Sequence, residues 1–224
     1  LSFSLIGFFD DYLKIKKENS KGIKATYKFL LQIIFSLMIV YLINISTAED
    51  IRDILHLPFY KNLVLDLGTF YIFFGVVVIV GSSNAVNLTD GLDGLATVPV
   101  ILVSLTFILI TYLVGNVIFS DYLKLTYIKN TAEVCVVLGS IVGASLGFLW
   151  FNAPPAKIFM GDTGSLALGA FLGAVSLISK HEIALLIAGG LFVLEASSVI
   201  VQVISFKLFG KRVFRMAPLH HHFE

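Results

Sequence analysis

Carboxylates stand at the edges of apolar runs in three places along this 224-residue sequence, and a row of histidines stands at a fourth. Asp10-Asp11 follows Ile6-Gly-Phe-Phe9 and leads into Tyr12-Leu-Lys14. Adjacent carboxylates beside hydrocarbon repel each other, and both stay ionised comfortably only near a cation. A hard Mg²⁺ takes oxygen ligands, usually a carboxylate or two plus the phosphate oxygens of a substrate. The plain alternative is a solvated helix end balanced by Lys14, Lys16 and Lys17.

Asn87-Leu-Thr-Asp-Gly-Leu-Asp-Gly94 closes an apolar run. Asn87 and Asp90, like Asp90 and Asp93, are three apart, so each pair shares a face in a helical turn. Such a group at a hydrocarbon boundary is costly without a partner; an Asx-rich turn capping two helices is the alternative. Phe159-Met-Gly-Asp-Thr-Gly-Ser165 precedes a further apolar run, and Asp162, Thr163 or Ser165 is placed to cap a helix there. A helix N-terminus suits a phosphate, whereas Asp162 itself suits a metal or acts as a base. Asn152-Ala-Pro-Pro155 reads as a rigid loop holding Asn152 over the same region. His220, His221 and His222 follow Pro218, which favours a loop. With Lys207, Lys211, Arg212 and Arg215 upstream, they form an anion-binding face or a basic membrane-edge loop. Within the last apolar run Gln202 is the better site candidate, and Glu195 reads as a bond between helices.

The elements that position these groups are membrane spans. Hydrophobic residues make up 57% of the chain and charged ones 14%, against roughly 45–50% and 25% in ordinary globular proteins. Apolar runs at 29–45, 63–86, 95–114, 133–151, 165–179 and 183–206 approach the ~20 residues a helix needs to cross hydrocarbon. The class is therefore all-α: a polytopic transmembrane bundle with six complete spans, read as one catalytic domain over residues 1–224. The stretch before Asp10 reads as the end of a further span, so the sequence is expected to be a fragment. The single Cys135 cannot form an intrachain disulfide and reads as a small core residue. A net charge of +1 points to no nucleic-acid partner.

Six spans divide the connections between two sides. Residues 10–28, 87–94, 152–164 and 207–224 carry eleven Lys and Arg, and residues 46–62, 115–132 and 180–182 carry five. The positive-inside rule puts the first set in the cytoplasm. Every acidic motif above, and the histidines, fall on that same side, although they played no part in assigning it. His56 and His181 fall on the other.

Taken together, Gly-Phe-Phe-Asp-Asp-Tyr-Leu-Lys, Asn-Leu-Thr-Asp-Gly-Leu-Asp-Gly-Leu-Ala, Phe-Met-Gly-Asp-Thr-Gly-Ser and Met-Ala-Pro-Leu-His-His-His-Phe-Glu, in this order, resemble the phospho-N-acetylmuramoyl-pentapeptide transferases. These belong to the polyprenyl-phosphate N-acetylhexosamine-1-phosphate transferase superfamily. The triple histidine favours the muramoyl branch over its N-acetylglucosamine relatives. The resemblance implies transfer of phospho-MurNAc-pentapeptide from UDP-MurNAc-pentapeptide to undecaprenyl phosphate, giving lipid I and UMP with Mg²⁺. It also implies a multi-pass protein of the bacterial cytoplasmic membrane, in the lipid bilayer, with its active face cytoplasmic. Family members have about ten spans of about 20 residues each, so the resemblance implies that the first spans and the last one would lie outside this sequence.

Carried over by motif, Asp10, Asp11 and Asp162 would be catalytic, with Asp11 and Asp162 on the metal and Asp10 activating the lipid phosphate. Lys14, Asn87, Asp90, Asp93, Asn152, Phe159, Gln202, His220, His221 and His222 would bind substrate. Transfer of GlcNAc-1-phosphate keeps the chemistry and changes the sugar. A cation-coupled transporter is the alternative of another class, but transporter sites lie near the bilayer midplane and these carboxylates sit at a rim. The oligomeric state is not written in the sequence, a homodimer being one option.

Overall fold

A computed structural model describes residues 1–18, 22–58 and 64–223. Lys21, Lys61 and Glu224, which enter the charge count or the last motif above, lie outside the described residues. The chain opens with α1 (Ser2–Lys16) and α2 (Ala25–Ser46), then a small antiparallel hairpin of β1 (Ile54–His56) and β2 (Val64–Asp66). It continues with α3 (Phe70–Thr89), α4 (Thr97–Val114), α5 (Val117–Leu123), α6 (Val134–Asn152), α7 (Gly161–Ile178), α8 (Glu182–Ala188), α9 (Gly190–Phe209) and α10 (His220–Phe223). Six of these helices, α2, α3, α4, α6 with the turn before it, α7 and α9, are long and apolar enough to cross a membrane. This is an all-α multi-pass membrane protein.

Three boundaries depart from the apolar runs. Within the run at 63–86, Val64–Asp66 is strand β2, and the helix starts only at Phe70. The run at 183–206 is broken at Gly189-Gly190 into α8 and α9, since consecutive glycines interrupt a helix at little steric cost. The short run at 165–179 gains a turn in front, because α7 starts at Gly161 and takes Asp162 into its first turn. Apolarity marks what lies in hydrocarbon, whereas the helix continues into polar sequence wherever its end is satisfied.

Helices α3 and α7 form the centre, each contributing to both main apolar clusters. Val76, Ile79 and Val80 of α3 meet Phe3 and Ile6 of α1, Val40 of α2 and Leu166 of α7 in one cluster. Ala85 and Val86 of α3 meet Val100 and Phe107 of α4, Leu138 of α6, Leu172 of α7 and Phe192 of α9 in the other. Lipid is as apolar as leucine, so helices in it associate through close packing and hydrogen bonds rather than through burial of oil from water. The α3–α7 seam shows both. A Cβ at Gly169 would lie 2.5 Å from the Ser82 carbonyl oxygen, and one at Gly173 would lie 2.4 Å from Ser82 Oγ. Ser82 Oγ donates to the Gly169 carbonyl at 2.8 Å, and Ser83 Oγ to that of Leu166 at 2.9 Å.

The polar groups separate to two ends of this bundle. At one end lie the C-termini of α1, α3, α6 and α9 and the N-termini of α2 and α7. At the other, the Lys180 ammonium donates to the Arg52 carbonyl and lies 3.8 Å from the centre of the Tyr71 ring. Tyr71 donates its hydroxyl to Glu182, and His56 bonds Thr126. These bonds tie the hairpin segment to the residue beyond α7 and to the segment after α5, and α3 to α8.

The seam makes a testable demand. Gly169→Ala should destabilise the protein by about 1–3 kcal/mol, the range for forcing atoms into a packed interior. Gly139→Ala on α6, where an added Cβ meets nothing within 4 Å, should not. Thermal unfolding in detergent compares them; equal melting temperatures would contradict the seam.

Candidate metal and phosphate site

Asp10 and Asp11 lie on α1, Asp162 in the first turn of α7, and the two helices cross at Gly7. A Cβ on Gly7 would stand 2.1 Å from the Asp162 carbonyl oxygen, so only glycine allows this approach. The crossing brings one ligand oxygen from each of the three carboxylates within 4.8 Å of the others.

Each carboxylate has one oxygen engaged by the scaffold and the other turned toward lysine. Asp10 Oδ1 accepts the Ile23 N–H at 2.7 Å, and its Oδ2 lies 2.6 Å from Lys14 Nζ. Asp11 Oδ2 accepts the Thr163 N–H at 3.0 Å and hydroxyl at 2.8 Å, while its Oδ1 is 3.6 Å from Lys14 Nζ. Asp162 Oδ1 accepts from Asn87 Nδ2 at 2.7 Å, and its Oδ2 meets Lys14 at 3.1 Å and Lys28 at 2.5 Å. Two ammonium groups thus sit among three carboxylates, leaving a formal excess of one negative charge. Burial alone would lower Lys14, but its bonds to Asp10 and Asp162 hold it above the usual lysine range.

The first turn of α7 leaves N–H groups without intrahelical partners. None of its own side chains caps it, contrary to the expectation for Asp162, Thr163 or Ser165. Asp11 of α1 supplies the acceptor instead, at the positive end of the α7 dipole. One bond therefore caps α7 and orients Asp11.

Asp90 ends α3 beside the Gly161 backbone N–H at the start of α7. Burial, then the fields of Asp162 and Asp11, push its carboxyl up to about 6. It faces the cluster without joining it.

The other expected residues divide into those near the cluster and those that brace its surroundings. Lys14 and Asn87 lie in it. Asp93 accepts the Ala156 N–H at 2.9 Å, pinning the loop before α7. Asn152 lies buried at the end of α6 rather than in a loop. Its Oδ1 accepts from Thr97 and Gly94 and its Nδ2 donates to Ile158. Gln202 accepts the Val213 and Phe214 N–H groups and donates to the Phe214 carbonyl, which folds the segment after α9 back onto it. Phe159 is exposed at the rim. His220 to His222 form the one-turn helix α10 rather than the expected loop. Pro218 lies ahead of its first turn, where a missing N–H breaks nothing.

Two participants were not among the expected site residues. Lys28 entered only the charge count, yet it reaches Asp162 and lies 3.6 Å from Asp10; its place as the last cation before an apolar run was the available signal. Thr163, expected as a cap of its own helix, instead holds Asp11.

Residues 1–180 match the family model described as glycosyl transferase family 4. A phospho-N-acetylmuramoyl-pentapeptide-transferase of Pelagibacter ubique (strain HTCC1062) is 61% identical over 223 residues, 99% of this chain and 62% of the relative. Proteins of the same name from Rickettsia canadensis (strain McKiel) and Rickettsia bellii (strain OSU 85-389) are each 60% identical, covering 100% of this chain and 62% of their own length. The chain thus spans about three-fifths of the length of these relatives. The matched stretch contains α1 to α7 and every residue of the acidic cluster, and the chain belongs to glycosyl transferase family 4.

Proposed function

We propose that the protein to which this chain belongs transfers phospho-MurNAc-pentapeptide from UDP-MurNAc-pentapeptide to undecaprenyl phosphate, releasing UMP and leaving lipid I in the membrane. The relatives bearing the transferase name support the substrates. The observation that carries the chemistry is the convergence of Asp10, Asp11 and Asp162 on Lys14, with Lys28 beside it, at one end of a membrane bundle.

Two phosphate substrates bring negative charge to the same point, and cations must offset their repulsion before they can react. The donor set fits Mg²⁺, which favours carboxylate oxygens and accepts phosphate oxygens alongside them. Lys14 and Lys28 add two cationic groups beside these oxygens. Asp11 and Asp162 would hold the metal, which would supply charge neutralisation at the diphosphate. Asn87 and Thr163 keep those two carboxylates aimed.

The lipid phosphate oxygen attacks the sugar-bearing phosphorus, and the bond from that phosphorus to the bridging oxygen of UMP breaks. Asp10 is 3% exposed, with both oxygens engaged. This favours direct attack by the lipid phosphate over an aspartyl-phosphate, with Asp10 holding Lys14 and Lys28 beside the incoming phosphate. The active end faces the cytoplasm of a bacterial inner membrane, where the water-soluble nucleotide sugar arrives. The rim position of the carboxylates argues against a transporter.

Three outcomes follow. Full-length Asp162→Asn should lose UMP release by roughly 10²-fold or more, the scale for removing one preorganised electrostatic group; wild-type turnover in that variant would refute the site. Asp90 binds a proton more tightly folded than unfolded, so with Mg²⁺ chelated the stability it contributes should be lost as pH rises through about 6. Saturating Mg²⁺ should reduce that loss by offsetting the neighbouring charge, leaving the part due to burial, and Asp90→Asn should abolish it, both read by melting temperature against pH. For sidedness, Tyr122→Cys and Lys17→Cys, both exposed, are made in a Cys135→Ser background. An impermeant maleimide added to intact cells should label position 122 and not 17; the reverse would invert the topology.

A further inference from the structure

We propose that Glu195, inside the membrane span of α9, is a positioning residue that docks His220 against the Asn87–Gly94 turn. The triple-histidine helix thereby has a buried anchor at its first residue. The inference rests on the transferase reading only for its kinetic consequence.

Glu195 is 3% exposed and has no basic side chain within reach among the described residues other than His220. A carboxylate so buried is costly unless paired. Its Oε2 accepts the His220 backbone N–H at 3.3 Å and lies 3.2 Å from His220 Nδ1. The second approach is off the line of a hydrogen bond, but it places a negative charge on the Nδ1 side of the ring. Carboxylates in that position favour the proton on Nδ1 and leave Nε2 as the working nitrogen.

Nε2 is buried and has no hydrogen-bond partner among the described residues. It points at Gly91: a Cβ built there would lie 2.3 Å from Nε2 and 2.9 Å from the adjacent ring carbon. Gly91 follows Asp90, whose carboxylate lies beside the Gly161 N–H at the start of α7. Glu195, His220, Gly91 and Asp90 therefore form a continuous contact from α9 to the edge of the acidic cluster. His222 is set the other way round, its Nδ1 accepting the Arg215 N–H at 3.1 Å, which leaves Nε2–H as a donor. The motif thus turns the Nδ1 of its first histidine toward a carboxylate and that of its third toward a backbone N–H, the first ring facing the turn.

The test uses the full-length protein in detergent. Diethyl pyrocarbonate modification of each histidine is mapped by mass spectrometry beside UMP release. His220 should be protected in the wild type. Its reactivity should rise toward that of an exposed histidine in Glu195→Ala, with a loss of kcat of about 10–100-fold, the scale for removing a carboxylate that orients a histidine. Gly91→Ala, which leaves Glu195 intact and fills the space of the ring, should expose His220 likewise. Glu195→Gln, which keeps an oxygen for the backbone N–H, should fall between. In each variant kcat should fall with the exposure of His220 while the melting temperature changes little.

Protection of His220 unchanged in Glu195→Ala and Gly91→Ala would overturn the docking. Exposure with wild-type kcat would overturn the positioning role. If Glu195→Ala does not fold, Glu195→Gln and Gly91→Ala give the same readings. A wild-type protein that releases no UMP would refute the transferase reading, while the protection pattern would still decide the docking.

Discussion

Three carboxylates held within 4.8 Å of one another at the edge of a hydrocarbon-facing bundle form the constraint on which the rest of this structure depends. Uncompensated, such a group would repel itself and resist burial. The chain answers with geometry as well as with charge. One oxygen of each carboxylate is bound by a backbone N–H, a hydroxyl or an amide, and the other faces an ammonium group. The arrangement requires α1 to cross α7 almost in backbone contact, which Gly7 permits. It also requires α2 to begin where Lys28 reaches Asp162. A cluster built this way is preorganised for polyvalent anions and cations, because its donors have already given up their freedom.

Helix α7 carries the cluster at one end and is latched at the other. Along its length the Gly169 and Gly173 face beds into α3. Beyond its far end, Lys180 reaches the Arg52 carbonyl and Glu182 takes the Tyr71 hydroxyl. The depth and rotation of Asp162 are thereby set by contacts on the opposite face of the bundle. Rigid support from regular elements is what a site needs if its groups must be held within fractions of an ångström.

Several polar residues near the site build its surroundings rather than face its centre. Asn152, Asp93 and Gln202 spend their hydrogen bonds on loop backbone. Each buried polar group so satisfied removes an alternative conformation of a loop that would otherwise compete with the working one. Glu195 belongs to the same class, with a histidine as its partner.

The sequence by itself determined the class of protein, the number of spans and the presence of several acidic motifs on one side. Apolar run length and the Lys and Arg asymmetry are properties of the chain that no packing can alter. It determined neither where α7 begins nor what caps it, because the acceptor for Thr163 is Asp11, 152 positions away. Nor did it distinguish Lys28 from the other basic residues at the membrane edge, or Glu195 from an ordinary polar bond between helices. The break at Gly189-Gly190 was invisible to hydropathy, since glycine interrupts a helix without interrupting apolarity. Motif spacing said which residues lie together along the chain. Only the crossing of α1 with α7, and the return of α10 onto Gly91, decided which side chains share a point in space.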